Sequence, residues 1–358
     1  MSSSPQVRRS SLGLLEGWLL LLLFCAALLA GCAPSEPEVE TLALEGRTMG
    51  TYWSVRVAAP PPALDAAELQ ADLEAALAEV NAQMSNYDPD SELSRFNRAP
   101  IGEWFEVSSE LAEVLAAALE ISALSEGVFD VTVGPLVNLW GFGSRDVEHD
   151  AVPSAEQLRA ALQRVDWTQL EVREEPPAIR RLADVYVDLG GIAKGHGADV
   201  MARVLEAHGA TRYLADIGGD MRGRGYNARG KPWRVGIEVP AIGQRGGVQA
   251  VIGIEDAGVA TSGDYRNFFV HDGVRYSHTI DPTTGWPIPE RVASVTVIHP
   301  SAMWSDGLAT AFSVMGPEAG LTLAGELSLP VLFILYGDEG LEEVASPAFA
   351  EFRVAGDP

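Results

Sequence analysis

The sequence predicts an α+β domain with a largely antiparallel sheet and packed helices, on three observations. Several β-like runs follow one another with no helical stretch between them, strict strand-helix alternation is absent, and no internal repeat or second linker divides the chain. A doubly wound parallel sheet is disfavoured by the second of these, because parallel neighbours need a crossover, usually a helix, between them.

The N-terminus stands apart from that domain. Arg8 and Arg9 precede an apolar run over 17–30 without a charge, short for a bilayer span and suited to a secretory signal. The run ends in Leu29-Ala30-Gly31-Cys32, which resembles a bacterial lipobox, so the reading is a signal over 1–31 and a lipid on Cys32. Residues 32–40, with the Pro- and Glu-rich APSEPEVE, read as a tether, and 41–358 as the folded domain. The only other cysteine, Cys25, leaves with the signal. The mature chain then has no free thiol, which excludes disulfides, iron–sulfur clusters, thiolate zinc sites and a cysteine nucleophile. The formal charge of −25 becomes −26 once Arg8, Arg9 and Glu16 are removed, and so acidic a surface repels nucleic acid.

Within the domain a helix is clearest over 65–80, where Leu69, Leu73, Leu77 and Val80 share one face and Asp65 with Glu68 forms a capping-box-like start. Further helices are expected over 109–125 and 197–207. Strands are expected over 52–57, 184–188, 212–217, 233–239, 248–254, 294–298 and 331–336, from β-branched and aromatic content bounded by turn residues.

Four regions carry residues suited to chemistry. VDLGGIAKGHGAD (187–199) reads as a strand-to-helix turn whose glycines allow close backbone approach, with Lys194 able to meet a phosphate and Asp188 able to accept a hydrogen bond. A tight turn with a solvated lysine is the plainer alternative. The stretch lacks the Lys-Ser/Thr of a P-loop, and no G-x-G-x-x-G is present. In WSDGLATAFSVMG (304–316), Asp306 and Thr310 lie one helical turn apart on one face. A carboxylate beside a hydroxyl offers hard oxygen ligands to magnesium. On spacing alone the plainer alternative is that Asp306 favours the helix dipole while Thr310 bonds back to a carbonyl. His278, in GVRYSHTIDPTTGWPI (273–288), is a candidate base or a histidine that fixes the Asp281-Pro282 turn. MSNYDPDSELSRFN (84–97) reads as a polar loop carrying Tyr87 and Phe96, and GVFDVTVGPLVNLWGFG (127–143) is rich in glycine and aromatics. Such rings stack on a flat heterocycle or fill a core.

With RTMGTYWSV (47–55) and ATSGDYRNFF (260–269), these segments follow one another over nearly the whole domain, and in that order they resemble the ApbE family of flavin transferases, which move FMN from FAD onto a protein. The lipobox suits a family that includes many lipoproteins. The resemblance implies an ApbE-like domain in which magnesium is held by the Asp306 and Thr310 side chains and the carbonyl of Gly191. It implies FAD contacts from Met49, Tyr87, the backbone of Val128, Phe129 and Asp130, and from Asp188, Lys194 and Ile280. His196 stands where tyrosine is common in the family and is given no role.

By the same resemblance, an acceptor Ser/Thr hydroxyl attacks the FMN-side phosphorus and AMP leaves, catalysed by in-line positioning and charge neutralisation. His278 is expected to take the proton and Asp306 to bind the metal, since a metal-bound carboxylate is a poor base. The implied acceptors are flavoprotein subunits of membrane redox complexes, such as the sodium-pumping quinone reductase, with an Asp-x-x-Ser/Thr-Gly-Ala-Thr type target. A lipid-anchored enzyme on the extracytoplasmic, periplasmic side of a bacterial envelope would meet them there. Two alternatives stay open: a magnesium-dependent FAD pyrophosphatase giving FMN and AMP, and a flavin-binding lipoprotein without turnover.

Overall fold

In the computed structural model, residues 39–144, 152–240, 247–263, 267–338 and 340–354 are described; the expected signal and the expected lipidation of Cys32 lie outside them. The chain runs through β1 (Thr41–Thr48), β2 (Thr51–Ala58), α1 (Ala66–Met84), α2 (Glu92–Arg98), β3 (Phe105–Glu106), α3 (Ser109–Leu124), α4 (Gly134–Leu139), α5 (Ala155–Leu162), β4 (Leu170–Arg173) and β5 (Ala178–Arg181). It continues with α6 (Ala193–Ala207), β6 (Tyr213–Ile217), β7 (Asp220–Arg224), β8 (Trp233–Glu238), β9 (Val248–Ile254), β10 (Ala257–Gly263), β11 (Phe268–His271), β12 (Val274–Ser277), β13 (Val292–His299), α7 (Ala302–Glu326), β14 (Val331–Gly337) and β15 (Gly340–Ala345).

Eight strands form one sheet in the order β1-β2-β6-β7-β10-β13-β14-β15, and every pairing in it is antiparallel. This is the α+β architecture expected from the sequence. The strand β13 is buried along nearly its whole length because both its faces are covered. Val295 and Val297 pack in the main core with α3 and α7, whereas Ala293 and Ile298 pack with the β8–β9 ribbon. A third core joins Leu69, Leu73 and Leu77 of α1 to Trp53, Val55 and Tyr213 of the sheet and Met201 and Leu205 of α6.

Local chemistry explains the element ends. Asp65 caps α1, its Oδ1 accepting from Ala67 N at 2.8 Å and Glu68 N at 3.1 Å, so the helix starts where expected and runs on to Met84. The α7 start is held from outside: Asp199 of α6 accepts from Ser301 Oγ (2.6 Å), Ala302 N (3.0 Å) and Met303 N (3.0 Å). The same helix breaks at Gly316 (φ 75°, ψ 174°), just before Pro317.

Three expectations need correction. The segment 184–188 is not a strand and makes only a parallel bridge between Tyr186 and Val133. The side-chain amide of Asn97 takes the place of a neighbouring strand, donating to Val187 O and accepting from Val187 N, both at 2.8 Å. The expected loop 84–97 contains α2, capped by Ser91 Oγ accepting from Ser94 N at 3.0 Å, and it sends Phe96 into the core. Helix α6 begins at Ala193, four residues earlier than expected, because its glycines serve close packing rather than helix termination. A Cβ on Gly195 would stand 2.2 Å from Ala302 O, so only glycine lets α6 and α7 approach as they do.

Candidate active site

The start of α6 and the first turns of α7 meet over the ends of β6, β7 and β10. Asp306, 4% exposed, accepts from Gly195 N through Oδ2 at 3.0 Å. Its Oδ1 has no hydrogen-bond partner among the described residues. One turn on, Thr310 Oγ1 lies 3.4 Å from Gly191 O and 3.3 Å from Ser262 Oγ of β10. Thr310 therefore faces the 187–199 loop and does not bond back into its own helix. A carboxylate, a hydroxyl and a main-chain carbonyl, all hard oxygens, line one place, which suits a small hard cation completed by phosphate oxygens and water. Among the described residues no group of three His, Cys, Asp or Glu stands at metal-binding spacing, so no all-protein cage is present there.

Lys194, in the first turn of α6, is half-buried, and its Nζ forms an ion pair with the buried Asp220 Oδ2. Burial opposes its charge, but Asp220, Asp306 and Asp216 outweigh burial and hold its pKa above the ordinary lysine value. Asp220 is 2% exposed, and burial followed by the Asp306 charge pushes its carboxyl up despite Lys194. Asp220 pairs directly with the ammonium, while Asp306 and Asp216 act on its charge without an ion-pair contact. Asp216 and Asp220 flank the Gly218-Gly219 turn of the β6–β7 hairpin, where Asp216 Oδ1 accepts from Gly219 N at 2.8 Å. That turn abuts the Met49-Gly50 turn of β1–β2, with Gly218 N donating to Tyr52 O at 3.0 Å. Met49, at φ 48°, reaches back so that its Cε lies 3.1 Å from where a Gly197 Cβ would be.

His278 follows β12. Its Nδ1 lies 3.1 Å from Asn267 O, and since a carbonyl only accepts, Nδ1 carries the proton and Nε2 keeps its lone pair. Burial and the nearby Lys194 charge lower its pKa against the opposing Asn267 bond, keeping the ring neutral near pH 7. It does not fix the Asp281-Pro282 turn. Asp281 does so itself, accepting through Oδ1 from Thr283 N (2.8 Å) and Thr283 Oγ1 (2.7 Å).

Tyr87 is 74% exposed, beside an open pocket of about 290 Å³ shared with Asn86 and Tyr186. Asp188 accepts from Gly190 N at 2.8 Å, and its burial raises its pKa against bonds from Gly190 and Asn86. The Phe129 ring packs at the loop, 3.4 Å from where a Gly191 Cβ would be. Val128 is half-buried, its N–H taken by Ser125 O at 3.2 Å. Asp130 offers a ligand only its backbone: Oδ1 accepts from Thr132 N (2.7 Å) and Thr132 Oγ1 (2.6 Å), and Oδ2 from Trp167 N (3.1 Å). The Ile280 side chain is withdrawn into a cluster with Leu136, Trp140 and Leu158, so a contact from this position would come from the main chain.

The sequence reading overlooked Asp216, Asp220, Ser262, Asn97 and Asp199. A signal existed for the first two, because ADIGGD (215–220) places acids on both sides of a Gly-Gly hairpin turn. The others act across long sequence separations and carry none.

The ApbE family profile matches residues 49–333. The chain is 46% identical over 338 residues to a Vibrio cholerae protein named FAD:protein FMN transferase, covering 94% of this chain and 99% of that one. It is 38% identical over 345 residues to the Escherichia coli K12 protein of the same name, covering 93% and 97%. Among solved structures, the flavin transferase ApbE from Vibrio cholerae superposes with a TM-score of 0.81 at 45% identity, covering 88% of this chain and 99% of that one. The ApbE protein from Thermotoga maritima does so with a TM-score of 0.79 at 30% identity, covering 88% and 100%. With matches of this extent beside the site geometry, the chain belongs to the ApbE family.

Proposed function

We propose that this chain transfers FMN from FAD to a serine or threonine hydroxyl of an acceptor flavoprotein subunit and releases AMP. In this reading magnesium is held by the Asp306 carboxylate, the Thr310 hydroxyl and the Gly191 carbonyl, and Cys32 anchors the enzyme to a membrane on the extracytoplasmic side. The observation that supports it is the meeting of Thr310 with Gly191 O at 3.4 Å, with Asp306 one turn earlier and Lys194 three residues beyond Gly191.

In the reaction a bond forms between the acceptor oxygen and the FMN-side phosphorus while the pyrophosphate bridge to AMP breaks. Bound magnesium would supply charge neutralisation on the pyrophosphate oxygens. Lys194 would add an ammonium, and the first turn of α6, whose Gly195 N–H donates to Asp306, would add the positive end of that helix. His278 Nε2 takes the proton from the acceptor hydroxyl, its ring held by the Asn267 carbonyl. Tyr87, exposed at the pocket mouth, offers a face for the isoalloxazine ring. No protein nucleophile is required.

The test combines the protein, FAD, magnesium and an acceptor bearing the target motif, following acceptor mass and AMP. A mass gain equal to FMN, lost in Asp306→Ala, supports the reading. AMP and free FMN over an unmodified acceptor would establish the pyrophosphatase, and unconsumed FAD the carrier.

A further inference from the structure

Lys194 has a choice of carboxylates. Asp220, Asp306 and Asp216 all act on its charge, yet the ion pair forms with Asp220. Asp306 is left with one main-chain donor, Gly195 N, on Oδ2. An ammonium pairing with Asp306 would occupy the oxygen that a cation needs and would put like charges side by side. The hairpin holds Asp220 firmly: the Gly218-Gly219 turn is bonded to Asp216 Oδ1 and to Tyr52 O, and Gly218 packs against Thr51, where a Cβ would stand 2.9 Å from Thr51 Oγ1.

We propose that Asp220 is a positioning residue: by holding Lys194 in an ion pair, it keeps the ammonium off Asp306 and leaves that carboxylate to the cation. The inference rests on the magnesium reading above. It assigns the β6–β7 hairpin a part in sorting charges, since one carboxylate is given to lysine and the other is kept for metal.

The test is calorimetric titration of magnesium chloride into the full chain in detergent, without FAD or acceptor, with thermal melting to verify folding. Asp220→Asn frees Lys194 to pair with Asp306 and is expected to weaken magnesium binding roughly tenfold or more. Asp220→Glu, which keeps the charge, is expected to restore most of it. The decisive variant is the double change Lys194→Met with Asp220→Asn, which removes the competitor. It should bind magnesium more tightly than Asp220→Asn alone while remaining poor at FMN transfer.

Wild-type affinity in Asp220→Asn, or a double variant as weak as the single one, overturns the proposal and leaves the magnesium reading standing. No magnesium binding by the wild-type chain, either alone or with FAD present and acceptor absent, overturns both.

Discussion

Gly195 donates its main-chain N–H to Asp306 Oδ2 at 3.0 Å, so the carboxylate is set by a residue with no side chain of its own. A methyl group at this position would lie 2.2 Å from Ala302 O and 2.7 Å from Asp306 Cβ. Gly195→Ala is therefore expected to destabilise the fold by about 3 kcal/mol or more, because the obstacle is backbone and cannot rotate away. The urea midpoint reads this directly. An unchanged midpoint would mean that the helices separate at little cost.

His278→Asn should leave FAD affinity nearly intact and slow transfer by roughly 10²-fold or more, the usual worth of a positioned base. The wild-type rate should climb with pH through a midpoint below the ordinary histidine value of 6.5, because the pKa is lowered and the neutral ring is the active form. In the variant that rising limb should vanish. A limb that persists would assign the proton to another group.

Tyr87 exposes 74% of its surface, so its ring contributes little to the folded core. Tyr87→Ala is expected to leave the melting temperature within a degree or two, roughly ±0.5 kcal/mol, while raising the KM for FAD several-fold. Equal KM values would remove the ring from the substrate site.

His196 supplies a pH dependence of stability unrelated to catalysis. It is 1% exposed, its Nε2 has no hydrogen-bond partner among the described residues, and burial with the Arg203 charge lowers its pKa to about 4. The unfolded ring protonates near 6.5 and the native ring only near 4, so its contribution is complete above 6.5 and is lost as pH falls through that window. The full loss is roughly 3 kcal/mol. His196→Leu should flatten the decline in unfolding free energy between these limits, as denaturant titration at several pH values would reveal.

How far the sequence could be read depended on how local each determinant is. Helix α1 was legible because Leu69, Leu73, Leu77 and Val80 repeat at helical spacing and Asp65 caps its own chain. Asp306 and Thr310 were legible as a pair for the same reason, although their meeting with Gly191 spans 119 residues from Thr310 and needed the fold. The start of α6 was hidden because glycine disfavours a helix in isolation, whereas here the packing against Ala302 requires it. The ion pair of Lys194 with Asp220 depends on a hairpin whose position follows from sheet order. Ile280 matched its motif, but a motif cannot say which way a side chain points.

The Asn97 amide clasp on Val187 has a consequence for how this protein can evolve. The Gly191 oxygen belongs to the main chain, so no substitution can replace that atom with another chemical group. Heritable change reaches it only by shifting the loop, and Asn97, 90 residues upstream of Val187, is one of the points where the loop is fastened. In the magnesium reading proposed above, selection on the position of this carbonyl therefore falls on an asparagine that has no part in the reaction itself.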